Sequence, residues 1–233
     1  MSRTPLAIVA VAVAMAFLPS LGLPAFYDSL LYLMRDVLPN GLLGLAAVSL
    51  LGLVVVAGLG LAIYVYATAL KPSRPVGLQT VTVADPGHPP ISAVIWYPTS
   101  ATPGFVLLGS TGARVASDGP VEGDRLPIVV ISHGTGAAAM SHADTAIALA
   151  ENGFIVIAPT HPGDNFQDDS DVGKPQWLHN RSRHVRRVID MATACWKDRG
   201  HVDPRRIGIF GFSAGATTAL IAIGGRPDLR RIW

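Results

Sequence analysis

The stretch Arg206-Ile207-Gly208-Ile209-Phe210-Gly211-Phe212-Ser213-Ala214-Gly215 predicts a strand, a tight turn and the start of a helix. Apolar residues fill the strand, and an apolar helical pattern continues from Ala214 to Ile223. Between them, Gly211 to Gly215 fits the G-x-S-x-G pattern of a nucleophile elbow. Side chains at the two glycines would collide with neighbouring backbone in such a turn. The pattern therefore predicts that the Ser213 hydroxyl stands clear of the sheet, and the alternative interpretation is a tight turn without a catalytic role.

Two backbone N–H groups are candidates for an oxyanion hole beside Ser213. The Ala214 N–H is predicted to be free at a helix N-terminus, where it can stabilise negative charge. The second candidate is the Thr135 N–H in His133-Gly134-Thr135-Gly136, which follows a buried strand pattern two strand–helix units upstream. The flanking glycines let this loop approach a substrate. We expect His133 to brace the loop, and the alternative for it is a catalytic base.

Apolar strand patterns alternate with helical patterns along residues 79–233, and this alternation predicts an α/β fold. A mainly parallel sheet with helices on both faces is the arrangement that buries such strands. Residues 109–125, rich in Gly, Ser and charge, are predicted to form a loop. The predicted strands are 80–83, 91–97, 127–132, 154–158 and 206–210, and the predicted helices are 141–151, 177–198 and 214–223.

Charge is divided unevenly along the chain. Residues 1–70 carry four charged side chains, whereas the remaining 163 residues carry 30. Residues 41–70 contain no charge, and this length exceeds the roughly 20 apolar residues that span a bilayer as a helix. The sequence therefore predicts a membrane segment over 1–70 with a span at 41–70, a proline-spaced linker at 71–78, and a domain over 79–233.

A second apolar segment, residues 4–27, has two possible interpretations. It is uncharged but interrupted by Pro19 and Pro24, so it is either a kinked span or a secretory signal. In either case, Lys71 and Arg74 after the second segment favour a cytoplasmic position for the domain in a bacterial-type inner membrane. The periplasmic alternative requires the first segment not to insert.

The cysteine content and the net charge limit the kinds of site and partner that the sequence predicts. The single cysteine, Cys195, excludes an intramolecular disulfide and a cysteine-rich zinc site, and we expect it to be a small core residue. A net charge of +2 with scattered basic residues gives no reason to expect nucleic acid as a partner. The exception is the basic run from Arg181 to Arg187, which is predicted to form the outward face of a helix. The alternative for these arginines is binding of phosphates or anionic lipid. We predict no metal site, and the acidic group Asp168, Asp169 and Asp171 is interpreted as a solvated loop.

Five motifs occur in a fixed order along the chain: Ile131 to Gly136, Glu151 to Val156, Pro159 to Asn165, Asp203 to Ile207 and Gly224 to Asp228. As a set, they resemble the bacterial dienelactone-hydrolase-like proteins, which are similar to platelet-activating-factor acetylhydrolases within the α/β-hydrolase superfamily. The resemblance covers roughly residues 79–230 and implies ester hydrolysis by a Ser–His–Asp triad without metal or organic cofactor.

The sequence departs from this family after the elbow. In this fold the triad acid and then the histidine follow the nucleophile, but the 20 residues after Ser213 contain one acid, Asp228, and no histidine. We therefore expect an incomplete α/β-hydrolase fold, truncated before its acid and histidine. His161, which follows a strand end, is the upstream histidine best placed to substitute, and otherwise shapes the substrate pocket.

Two functional hypotheses follow. The first is a membrane-anchored serine hydrolase that acts on small-molecule or lipid carboxylic esters, with Ser213 as nucleophile and Thr135 and Ala214 as oxyanion donors. Gly211, Gly215, His133 and Gly134 then support the elbow and the loop. The alternative is a non-catalytic, membrane-anchored remnant of such a hydrolase.

Overall fold

The computed structural model describes residues 42–109 and 111–226. The chain divides into two compact units, Met1–Ala67 and Thr68–Trp233. The predictions for residues 4–27 and for Asp228 lie outside the described residues. A single helix of the first unit is described, α1 (Leu42–Ala67), and it lies within the predicted span. Among the described residues, α1 alone is long and apolar enough to cross a membrane, a criterion of length and composition only.

The described part of the second unit contains seven strands: β1 (Val76–Val83), β2 (Ile91–Pro98), β3 (Gly104–Leu108), β4 (Thr111–Ser117), β5 (Leu126–Ser132), β6 (Ile155–Pro159) and β7 (Val202–Gly211). They form one mixed sheet with the order β3-β4-β1-β2-β6-β5-β7. The strands around the elbow, β6, β5 and β7, run parallel, as the alternating pattern predicts. Antiparallel pairs of β1 with β2, β2 with β6 and β3 with β4 make the sheet mixed.

Helices cover both faces of this sheet. They are α2 (Ala143–Ala150), α3 (Trp177–Asp190) and α4 (Ala214–Ala222). Alternate residues of the central strands enter opposite cores: Ile155 and Ile157 of β6 lie in the core that contains α3, whereas Val156 lies in the core that contains α2. This period of two explains why the central strands are apolar on both faces.

Three expectations need correction. Residues 111–117 form β4 rather than part of a loop, with Ala113 and Val115 fully buried. The predicted linker at 71–78 is shorter, because β1 begins at Val76, whose side chain is fully buried. Cys195 is exposed rather than in the core, because it ends a short π-helical turn, Met191–Cys195, from which only Ala192 is buried.

Candidate active site

The carboxyl ends of three parallel strands meet at the candidate site. Ser132 at the end of β5 pairs with Gly211 at the end of β7, and β6 lies on the other side of β5. The loops that follow these strands therefore emerge at one edge of the sheet: 133–138 after β5, 160–176 after β6, and the elbow after β7. Ligands bind at this edge in open α/β sheets.

Ser213 lies at the predicted elbow with a strained backbone, φ 54° and ψ −122°, and it is exposed. The two glycines of the motif are required by close backbone contacts. A Cβ atom at Gly211 would lie 2.2 Å from the carbonyl oxygen of Gly215, and a Cβ atom at Gly215 would lie 1.9 Å from the carbonyl oxygen of Ser132. The elbow is thus packed directly on the end of β5.

The loop with Thr135 lies against the elbow. A Cβ atom at Gly134 would lie 3.3 Å from Phe212 Cδ1, which is tighter than usual, and at the ordinary contact distance of 3.5 Å from the Ser213 Cβ atom. Thr135 is exposed and Ala214 is partly exposed. Within residues 42–109 and 111–226, no acceptor is hydrogen-bonded to the N–H group of either residue, so both donors are available to a ligand.

His133 is buried, and its ring contacts fix its tautomer. The Nδ1 atom lies 2.7 Å from the Gly134 carbonyl oxygen, so Nδ1 carries the proton and donates it. The Nε2 atom then accepts the backbone N–H of His161 at 3.2 Å. Burial lowers the pKa of His133 to about 4. The structure therefore places this ring as a neutral brace between the loops after β5 and β6, with both nitrogen atoms engaged.

His161 is fully buried, and both nitrogen atoms of its ring contact other side chains. Its Nε2 atom lies 2.9 Å from Ser132 Oγ, and its Nδ1 atom lies 3.2 Å from His184 Nδ1. Burial, followed by the charge of Arg181, holds the pKa of His161 well below its usual range. With both ring nitrogens occupied in the interior, His161 is not arranged as a base for Ser213.

An ion pair beneath the site joins Arg181 of α3 to Asp164. The Arg181 Nη1 atom lies 2.5 Å from Asp164 Oδ2, and both side chains are almost completely buried. The other guanidinium nitrogens donate to the His133 carbonyl oxygen, to Ser132 Oγ at 3.3 Å and to Thr218 Oγ1 at 2.9 Å. Burial lowers the pKa of Arg181, and Asp164 opposes this shift. This arginine therefore connects the ends of β5 and β6 with α4.

Neither Arg181 nor Asp164 was predicted to be part of the candidate site. Arg181 was expected on the outward face of its helix, but it lies on the face with Val185 and Val188, which pack into the core. The spacing of Arg181 from these valines is a helical one, and this signal was available in the sequence. Within the described residues, no group of three His, Cys, Asp or Glu side chains is arranged to hold a metal ion.

Comparisons with known proteins identify the family of this chain. A sequence model of the dienelactone hydrolase family matches residues 113–231, which is about half of the chain. No curated protein matches the chain. Among solved structures, a ferulic acid esterase from Streptomyces cinnamoneus is similar at 20% identity with a TM-score of 0.57, covering 66% of this chain and 58% of that one.

Two further solved structures are less similar. A hypothetical protein from Pseudomonas aeruginosa is 22% identical with a TM-score of 0.45, covering 65% of this chain and 40% of that one. A dienelactone hydrolase-like promiscuous phosphotriesterase from metagenomic libraries is 19% identical with a TM-score of 0.46, covering 64% of this chain and 54% of that one. The chain therefore spans less than two thirds of each of these proteins. The family match, together with the α/β-hydrolase-like sheet and elbow, shows that the chain belongs to the dienelactone hydrolase family, a family of hydrolases.

Proposed function

We propose that the chain is a membrane-anchored serine hydrolase that acts on carboxylic esters. The observation that carries this proposal is the strained backbone of Ser213, with φ 54°, at the edge where the parallel strands end. A residue other than glycine rarely adopts such a conformation, and backbone strain of this kind concentrates at functional sites.

The proposed chemistry is acyl transfer in two steps. The Ser213 hydroxyl oxygen attacks the acyl carbon, its proton passes to a base, and the tetrahedral oxyanion is held by the N–H groups of Thr135 and Ala214. Collapse of the intermediate breaks the bond to the leaving oxygen, which takes the proton from the base and departs as the alcohol, leaving an acyl–Ser213 ester. Water then attacks this ester with its proton passing to the same base, and the base returns the proton to the Ser213 oxygen as the acid departs. Gly211, Gly215, Gly134 and His133 support this arrangement by close packing and by the hydrogen bonds of the His133 ring.

For the substrate we propose a small-molecule or lipid ester with an apolar group. Phe212, directly before the nucleophile, is 60% exposed, and Phe166, in the loop after β6, is 68% exposed. The Phe166 N–H donates to the Ala137 carbonyl oxygen. This part of the loop after β6 therefore lies beside the loop after β5, which contains Thr135. Exposed aromatic side chains at a site favour apolar ligands. Among the similar structures, the ferulic acid esterase is named for an ester substrate.

The anchoring part of the proposal rests on the charge-free segment at 41–70. Helix α1 lies within this segment, and its large apolar side chains, such as Leu53 and Ile63, are mostly exposed. Lys71 and Arg74 follow directly, which supports insertion in a bacterial-type inner membrane with residues 71–233 on the cytoplasmic side. The periplasmic side is the alternative, and the first apolar segment, 4–27, is a further span or a signal.

A fluorophosphonate probe tests the nucleophile directly, because it forms a covalent bond with an activated serine. The full chain in detergent micelles should be labelled, and the site of labelling should map to Ser213 by peptide mass spectrometry. Ser213→Ala should abolish labelling, whereas the matched control Ser117→Ala, at an exposed position of β4, should retain it. A folded wild-type chain that takes no label would reject the proposal.

A second candidate is a non-catalytic, membrane-anchored relative of these hydrolases. It is favoured by one observation: within residues 42–109 and 111–226, no histidine is hydrogen-bonded to the Ser213 hydroxyl. Without a base, a serine hydroxyl stays protonated and is a poor nucleophile. The same labelling experiment separates the two candidates, because only the enzyme should react at Ser213.

A further inference from the structure

We propose that Arg181 and Asp164 are positioning residues, whose buried ion pair holds the Thr135 N–H group in place as an oxyanion donor. The catalytic part of this inference rests on the proposed esterase function. The structural part, that the pair orders the loop after β5, is measurable without any reaction.

The two members of the ion pair hold opposite ends of the segment that contains Thr135. On one side, Arg181 Nη2 donates to the carbonyl oxygen of His133. On the other side, the Gly136 N–H donates to Asp164 Oδ1 at 2.9 Å. Thr135 lies between these two anchors and is itself exposed. Its N–H group is therefore positioned by its neighbours and remains free to bind a ligand.

The same guanidinium reaches the helix that begins at the elbow. Arg181 Nε donates to Thr218 Oγ1 at 2.9 Å, and the Thr218 hydroxyl donates to the Ala214 carbonyl oxygen at 2.8 Å. Ala214 supplies the other proposed oxyanion donor. One side chain thus connects the segment that contains Thr135 with the first turn of α4, where Ala214 lies. Fixed spacing matters because donors stabilise an oxyanion most when they need no rearrangement during the reaction.

The burial of the pair explains why arginine is needed. Arg181 is 1% exposed and Asp164 is fully buried, so water cannot replace either partner. The planar guanidinium directs its donors to His133, Asp164 and Thr218 at once, whereas a lysine ammonium is a point charge on a flexible stem. Buried ion pairs add little net stability compared with apolar residues of the same volume. We therefore assign the buried pair of Arg181 and Asp164 the role of fixing the geometry of the loop, rather than that of increasing the stability of the protein.

Hydrogen–deuterium exchange of the full chain in detergent micelles tests the ordering of the loop. Arg181→Lys and Asp164→Asn should each speed exchange at least tenfold in peptides that contain Gly136, whose N–H is protected by Asp164. The matched control is Arg183→Lys, on the same helix, where the arginine is partly exposed and paired with Asp85. This control should exchange like the wild type in those peptides. Wild-type exchange in both Arg181→Lys and Asp164→Asn would overturn the inference.

The rate of fluorophosphonate labelling tests the consequence for the reaction. In Arg181→Lys we expect the maximal labelling rate to fall at least tenfold, with the inhibitor concentration for half-maximal rate changed less than threefold. A general loss of structure would instead alter both quantities and the thermal unfolding midpoint. An unchanged maximal rate in Arg181→Lys would overturn the positioning role, even if Ser213 is labelled as proposed.

Failure of the proposed esterase function can be distinguished from failure of the proposed loop ordering. A wild-type chain without label at Ser213 would reject the esterase function, and the exchange experiment would still decide whether the ion pair orders the loop. Where Arg181→Lys does not fold, Thr218→Val removes one acceptor of Arg181 while keeping the side-chain shape. That variant should lower the maximal labelling rate at least threefold, and a wild-type rate would overturn the proposed link to the elbow.

Discussion

At the scale of single residues, Gly215 has the least freedom to change. A methyl group there would lie 1.9 Å from the carbonyl oxygen of Ser132, and backbone atoms cannot move aside as a flexible side chain would. We expect Gly215→Ala to lower the free energy of unfolding by about 3 kcal/mol, as overpacking does. Gly200→Ala is the control, since nothing lies within 4 Å of its Cβ position, and it should change stability by less than about 0.5 kcal/mol. Equal unfolding midpoints for the two variants would contradict this expectation.

Three buried histidines make the stability of the second unit depend on pH. Burial lowers the pKa of His133 and of His184 to about 4, with the charge of Arg183 adding to the effect on His184, and holds that of His161 well below the usual range. Unfolding returns each pKa to near 6.5, so between pH 6.5 and about 4 the unfolded chain binds more protons. Stability should therefore fall as the pH falls through this window, by up to about 1.4 kcal/mol per pH unit for each histidine. Thermal unfolding at pH 7, 6 and 5 measures this, and a constant midpoint would contradict it.

Residue by residue, the sequence predicted those parts of the candidate site that are local. The elbow follows from consecutive residues, because the strand, the glycines and the helix are adjacent in the chain. The helical spacing of Arg181 from Val185 and Val188 indicates which face of the helix it shares. Its pairing with Asp164, 17 residues away, depends on a contact between segments that no local pattern reports. Cys195 was expected in the core, but it is exposed, because a π-helical turn at Met191–Cys195 ends the helix there.

At the scale of elements, period and apolarity predicted the central strands but not β4. Strands β5 and β6 are continuous apolar runs, so their burial on both faces is visible in the sequence. Strand β4 contains Gly112, Ser117 and two further polar residues, and its buried positions come in adjacent pairs rather than alternating. A strand of this composition is stabilised by its pairing with β3 and β1. The local sequence pattern does not predict this pairing.

Helix α3 is tied to the turn between β1 and β2 through Asp85. Arg183 Nε lies 3.1 Å from one Asp85 oxygen and Arg187 Nε lies 3.2 Å from the other. Burial alone would raise the pKa of Asp85, but the hydrogen bonds and charge of Arg183 and Arg187 hold it below its ordinary value. Asp85→Asn should lower the free energy of unfolding by about 1–3 kcal/mol, because a buried acceptor of charged donors is lost.

Asp190→Asn is the matched control for this prediction, because Asp190 is exposed at the end of the same helix. It should change stability by less than about 0.5 kcal/mol. Chemical unfolding of the full chain in micelles compares the two variants. Loss of stability in Asp190→Asn equal to that in Asp85→Asn would show that the effect is one of helix charge rather than of the contacts made by Asp85.

At the scale of the whole molecule, the uneven charge of the sequence corresponds to two units of different chemistry. The first unit contains a helix whose described large apolar side chains are mostly exposed, whereas the second has apolar cores on both faces of a sheet. An exposed apolar helix of 26 residues is unfavourable in water, and a bilayer removes this cost. We therefore expect the full chain to remain with membranes in a flotation gradient after a carbonate wash. Release into the soluble fraction would contradict anchoring by the first unit.

Labelling of the single cysteine, Cys195, can show on which side of the membrane the second unit lies. Cys195 is exposed, and the sequence contains no other cysteine, so a maleimide reports a single position. If Lys71 and Arg74 keep residues 71–233 in the cytoplasm, a membrane-impermeant maleimide should leave intact spheroplasts unlabelled and should label the chain after permeabilisation. Cys195→Ala is the control for labelling at other groups. Labelling of intact spheroplasts would place the second unit on the outer side, and the positive charges after α1 would then not determine the orientation of the chain.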